Sequence, residues 1–268
     1  MIITPLNTIL RGAAQAGFTE EYQAVLDAWT IKPDASVKNA QNTMVKTLVD
    51  NGIWSKLDLL YIYAGHTNDN GESLINWINP ATFQATLYNS PAFVSLEGFT
   101  GNGTSAKIGH NWIPNTDGVN YQQDSASLFV YSRTNNTENV YDVSAWGAPY
   151  SLMRLRTTGD QTVMYLNQNG STTTAGQTNS SGFYVSTRND GVTLKVYRNS
   201  IEIDSEADAS TGMSANELFS LGDSSHGTWS TKQLSCLGAG AGLSPAEVTI
   251  LTNAIEAYMD SNGKGVFF

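Results

Sequence analysis

Five consecutive residues, Glu202-Ile203-Asp204-Ser205-Glu206, place three carboxylates at alternate positions. Alternate side chains of an extended strand share a face, so Glu202 and Glu206 could flank a glycosidic bond with Asp204 between them. Two carboxylates so placed are the equipment of a retaining cleavage, one as nucleophile and the other as acid and then base. The surroundings favour a plainer reading. The acidic run continues to Asp208, as a solvated edge does, and it begins as the second arm of a tight hairpin after Tyr197. No catalytic role is therefore expected for Glu202, Asp204 or Glu206.

The other residues able to do chemistry are scattered. His66, His110 and His226 lie far apart beside Gly or Asn, without the short spacing of a metal site. The loop acids Asp69, Asp117 and Asp223 are candidates for Ca²⁺, but the six to eight oxygens that ion takes would need a denser cluster than any loop offers. No metal and no cofactor is expected. Cys236, the single cysteine, sits in the apolar run Leu234 to Leu237 and reads as a small core residue. Four tryptophans, Trp77, Trp112, Trp146 and Trp229, fall near Asn, Gly, Pro or Ser, where a ring with neighbouring amides and hydroxyls can stack on a sugar. Core packing is the competing reading for each of them.

Local signals show which elements must hold these residues in place. Thr19 caps a helix carrying Tyr22, Val25, Leu26 and Trp29 on one face. After Pro33 a second helix runs from about Ser36 to Asp50, striped by Val37, Ala40, Met44 and Leu48 and stopped at Asn51-Gly52. Residues 1–52 thus form a helical segment, either a docking module or a lid over one end of the main domain, which occupies 53–268. From Ile53 on, short strands and turns take over: 57–63, 83–88, 127–132, 139–143, 152–156, 162–166, 183–187, 192–197 and 201–203. Asp190-Gly191 suggests a type I′ hairpin turn, with a weaker turn at Asn199-Ser200. Ser244-Pro245-Ala246-Glu247 starts a last helix with a complete capping box. Many short strands with regular turns imply a sandwich or barrel.

Composition agrees. Hydrophobic residues are 40% and charged ones only 14%, against about 25% in ordinary soluble domains. The net charge of −10 excludes a phosphate backbone as a natural partner. No apolar run is long enough to cross a bilayer. Met1 to Leu10 lacks the basic and apolar parts of an export signal; a protein released by cell lysis fits this, and so does one whose leader has been removed.

Three stretches resemble the laminin G and concanavalin A-like superfamily: Gly98-Phe99-Thr100-Gly101-Asn102-Gly103-Thr104; Tyr184 to Gly191 followed by Leu194 to Asn199; and Leu243-Ser244-Pro245-Ala246-Glu247. The resemblance implies a mainly β, concanavalin A-like (laminin G-type) jelly-roll β-sandwich with an N-terminal helical pair and a C-terminal helix. Enzymes of laminarinase type share that fold and carry an E-x-D-x-E strand, but the Trp-Pro-x-x-Gly flank usual before it is missing here. A laminarinase-like hydrolase is thus the first alternative, and a bacterial surface adhesion module the second. Asn51 to Asp58, Ile75 to Pro80 and Ala257-Tyr258-Met259 resemble structural proteins of tailed phages, including crAss-like phages. That similarity implies a non-catalytic protein of the virion surface (capsid decoration, head fibre or tail component). Its partners would be other virion proteins and cell-surface glycans, with homo-oligomers in keeping and neither nucleic acid nor membrane involved.

Overall fold

The computed structural model describes residues 17–267 apart from 175 and 224. Met1 to Leu10, weighed above as an export signal, lies outside them. Helix α1 (Glu20–Ala28) begins where the Thr19 hydroxyl accepts the Tyr22 amide, satisfying one of the donors a helix start leaves free. Asp34 does the same for Val37 at the head of α2 (Ala35–Asp50), which ends at Asn51 with Gly52 at φ +69°. Strands β1 (Leu57–Ile62), β2 (Thr86–Tyr88), β3 (Ala92–Val94), β4 (Gly98–Thr100) and β5 (Lys107–Gly109) come next. A short helix α3 (Pro114–Asp117) leads to β6 (Ala126–Ser132), β7 (Val143–Ala145), β8 (Tyr150–Arg154), β9 (Thr162–Gln168) and β10 (Thr172–Thr174). The chain continues through β11 (Gly182–Arg188), β12 (Leu194–Arg198), β13 (Ile201–Glu206), β14 (Phe219–Ser220), β15 (Gly222–Asp223), β16 (Thr228–Trp229) and β17 (Gln233–Gly240). Helix α4 (Pro245–Ser261) closes it, with the full Ser244–Glu247 capping box.

The strands form a mainly antiparallel β-sandwich of jelly-roll type. The first sheet has the order β13-β12-β11-β6-β17-β4-β3, with β1 also paired to β17; the second has the order β10-β9-β8-β7-β14-β5-β2. A small ribbon of β15 and β16 stands apart. Leu128 and Val130 on β6, Tyr184 on β11, Leu194 and Val196 on β12 and Leu59 and Tyr61 on β1 pack against Ile108, Val143, Met153, Met164 and Leu166 of the second sheet. The alternate residues Phe129, Tyr131, Phe183, Val185, Leu60 and Ile62 point the other way, into a second core shared with α1, α2 and α4. The molecule therefore has three layers: helices, first sheet, second sheet. Every residue of β6 and β11 is buried for this reason, as in any strand covered on both faces. At Gly238 a side chain would run into the Phe129 ring and the Leu59 carbonyl, so only glycine lets β17 lie this close to its neighbours.

Several expected elements differ. The connection at Asp190-Gly191 is not a two-residue turn: neither residue has positive φ, and the Asp190 carboxylate instead accepts the Val192 and Thr193 amides. The tight turn is Asn199-Ser200, at φ +51° and +64°, closed by the Arg198–Ile201 pair. Two residues in the left-handed region match the twist of a hairpin, and Asn tolerates that region well. The strand expected over 83–88 is confined to 86–88 because Phe83 turns to φ +54°. The one expected over 139–143 forms only from Val143; Asp142 before it is held by the Leu155 amide and the Ser230 hydroxyl.

Candidate functional site

The acidic run lies on β13, at the edge of the first sheet. The register shifts between Val196 and Tyr197, so that Glu202 pairs with Tyr197 while Asp204 pairs with Val196 and Glu206 with Leu194. Directly opposed residues share a face, and a bulge breaks the alternation along the strand that carries the extra residue. Tyr197 belongs to the helix-side core, whereas Val196 and Leu194 belong to the core between the sheets. Glu202 is thus on the opposite face from Asp204 and Glu206. Its carboxylate is paired with Lys195 at 2.9 Å and accepts the Tyr197 hydroxyl at 2.9 Å. The bond from Lys195 holds its carboxyl below the usual range, the wrong direction for a group that must deliver a proton. Asp204 accepts the Thr174 hydroxyl at 2.6 Å, tying β13 to β10. The expectation that alternation lines these acids along one face fails at the bulge.

The four tryptophans separate into two kinds. Trp77 is 1% exposed and packs in the helix-side core beside Trp29 and Tyr22. Trp112, also 1% exposed, meets Tyr121 edge-on between the sheets. Neither ring reaches the surface, which corrects their assignment as ligand-stacking residues. Trp146 and Trp229 are half-buried, the first just after β7 of the second sheet and the second on the β15–β16 ribbon. Trp229 is on β16, over Gly222, whose φ of +149° and missing side chain let the ribbon close.

The face of the second sheet turned away from the core gathers aromatic residues. Register places Leu152 opposite Tyr165 and Ser144, and Arg154 opposite Val163, all facing outward because Met153, Met164 and Val143 face inward. Trp146 follows β7 directly. Its ring lies 4.9 Å from that of Tyr150, 5.2 Å from Tyr141 and 3.9 Å from the imidazole of His226, which reaches over from the β15–β16 turn. Tyr150 meets Tyr165 edge-on at 5.7 Å. The Arg154 guanidinium carbon stands 4.0 Å over the Tyr141 ring, a cation–π arrangement. Burial raises the Tyr141 phenol, and Arg154 pulls it the other way. Beneath these rings Leu152 is fully buried although its side chain faces outward. Farther along the same face the Lys107 ammonium stands 3.8 Å over Phe219 and 5.0 Å over Tyr88. Helices α1, α2 and α4 all lie on the first sheet, so none of them covers this surface.

The remaining candidates do not assemble. His66 bonds the Ile31 carbonyl at 2.8 Å and His110 is buried between Tyr61 and Tyr63, whereas His226 packs on Trp146 and Tyr141. Asp117 accepts the Ile113 amide, and Asp223 accepts the Ser144 hydroxyl and the Ser225 amide, while Asp69 is exposed. Among the described residues no group of three His, Cys, Asp or Glu side chains could hold a metal ion. Burial pushes the Cys236 thiol up, leaving it protonated. Tyr141, Tyr150, Arg154 and Tyr165 are not singled out by their sequence context. Their one visible signal is the alternation Tyr150, Leu152, Arg154, which does not by itself say which face meets solvent.

No family model matches the chain, and no curated protein is similar to it in sequence. Similar solved structures exist. Domain 4 of AbnA, a GH43 extracellular arabinanase from Geobacillus stearothermophilus in complex with arabinotriose, superposes with a TM-score of 0.50 at 15% identity, over 74% of this chain and 98% of that one. The binding domain of Paraclostridial Mosquitocidal Protein 1 gives 0.54 at 15% identity, over 75% of this chain and 53% of that one. Trypanosoma rangeli sialidase in complex with 2,3-difluorosialic acid gives 0.53 at 12% identity, over 86% of this chain and 40% of that one. At these identities the likeness is one of fold: the two-sheet sandwich described above.

Proposed function

We propose that this protein is a non-catalytic glycan-binding β-sandwich whose ligand lies on the uncovered face of the second sheet. One observation carries the reading: half-buried Trp146, Tyr150 and Tyr165 form a connected aromatic surface with the buried Tyr141, beside Arg154 and His226, on the sheet face the three long helices leave open. Flat rings beside hydrogen-bonding groups suit a sugar, whose C–H face stacks while its hydroxyls find polar partners. The AbnA domain of similar fold, solved with arabinotriose, is in keeping with this. Binding rather than cleavage is favoured because the three acids of β13 are divided between two faces by the bulge. For its setting we propose the phage virion surface, as a decoration, fibre or tail component among other virion proteins. The similarity of Asn51 to Asp58, Ile75 to Pro80 and Ala257 to Met259 to tailed-phage proteins supports this.

A glycan array with parallel hydrolysis assays tests the function. Uncleaved binding is expected, and Trp146→Ala should weaken it at least about tenfold, the equivalent of ~1.4 kcal/mol. Cleavage of any bound glycan, or full affinity in the variant, would overturn the reading. Mass spectrometry of purified particles tests the setting; recovery in a bacterial surface fraction instead would favour the adhesion module.

A further inference from the structure

We infer that the sugar recognised on this face carries a carboxylate, bound by Arg154; this rests on the glycan reading above. Arg154 stands within the aromatic surface, next to Leu152 on β8 and over the Tyr141 ring. Seven ion pairs join basic to acidic side chains among the described residues, and none includes Arg154. In a chain with 24 acidic against 14 basic residues, carboxylates are abundant enough to neutralise every cation. The acids near Arg154 in the chain are engaged elsewhere. Asp142 accepts the Leu155 amide and the Ser230 hydroxyl, Asp160 pairs with Arg156, and Asp223 holds Ser144 and Ser225. The Arg154 Nε is moreover buried without a hydrogen-bond partner.

A guanidinium stays charged at every relevant pH, and its planar fork matches a carboxylate through two parallel bonds. Arg154 thus offers this face a cation with no acidic side chain among the described residues paired to it. A neutral sugar would use the rings alone; a uronic or sialic acid uses the rings and the cation together. Two anion sources share this chemistry, a carboxylate on the ring of a hexuronate and one on a sialate, and matched probes separate them.

The experiment is calorimetric titration of the full chain with trigalacturonate against its methyl ester, and with sialyllactose against lactose. At least one acid should bind about tenfold or more tightly than its neutral counterpart, as a charge-assisted pair provides. The preference should shrink as salt is raised. Arg154→Gln should bring the acid down to the level of the neutral probe, and Arg154→Lys should retain part of the preference. The salt dependence of the unaltered chain supplies a readout that does not depend on either variant folding. Equal binding of acid and neutral probes, or a preference that survives Arg154→Gln, would overturn the carboxylate assignment while leaving glycan binding in place. If neither these probes nor any glycan on the array binds, both readings fall.

Discussion

His110 shows what burial does to one titratable group. It is fully buried, with its ring 4.8 Å from that of Tyr61 and its Nε2 3.3 Å from the Tyr63 hydroxyl. Desolvation carries its pKa from the ordinary 6.5 down to about 3, because a charged imidazole has no water there. The unfolded chain takes up a proton near pH 6.5, and the folded chain does not until near pH 3. The stability linked to His110 is thus complete above pH 6.5 and drains away as pH falls through that window, by about 1.4 kcal/mol per pH unit. Urea unfolding at pH values below 6.5 and above about 3 should show this slope, and His110→Gln should flatten it by one proton; an unchanged slope would count against a neutral buried ring. Sequence places this histidine in a loop beside Gly109 and Asn111. Nothing local announces that the second sheet seals it in.

At the level of elements, the helices are where local chemistry speaks most directly. The Ser244 hydroxyl receives the Glu247 amide while the Glu247 carboxylate receives the Ser244 amide. Each closes a donor that the first turn cannot satisfy by itself. Ser244→Ala should lower stability by ~1 kcal/mol, measurable as a shift of the urea midpoint with an unchanged slope; a loss below ~0.3 kcal/mol would mean that solvent serves as well. Strands are harder to read. Alternation correctly suggests β12, but the β13 bulge, which decides where Glu202, Asp204 and Glu206 point, is set by pairing across to β12. The two hairpin turns come out in the reverse order of their local signals for a similar reason. Asp190-Gly191 has the stronger dipeptide signal, yet the register between β11 and β12 places five residues between them, and the Asp190 side chain organises that loop.

For the whole molecule, the decisive feature is that the two sheets are unlike. A polar chain crosses the helical layer: the Tyr22 hydroxyl donates to Gln41, whose amide donates to Tyr258, whose hydroxyl donates to the Ala64 carbonyl at 2.6 Å. It ties α1, α2 and α4 to the end of β1 and keeps them on the face formed by Leu60, Ile62, Phe129, Tyr131 and Phe183. Burying one such side chain is worth roughly 1.5–3 kcal/mol. Removing residues 1–52 should therefore leave a sandwich with an apolar face open to water. Strong binding of a hydrophobic dye and loss of soluble protein are expected; a soluble, dye-silent fragment would show that α4 alone covers the sheet.

Local sequence was enough for whatever depends on neighbours in the chain: the caps at Thr19 and Ser244, the helical stripes, the β-rich composition, the buried cysteine, and hence the sandwich class. It could not tell Trp77 and Trp112, which fill cores, from Trp146, which lines the surface. A large apolar ring beside Gly or Asn looks the same in either place. Nor could it orient β6 and β11, since a strand covered on both sides loses the alternation that would mark an inner face. Packing the helices on the first sheet alone left the second sheet's outer face uncovered by them, and that choice belongs to contacts between residues far apart in the chain.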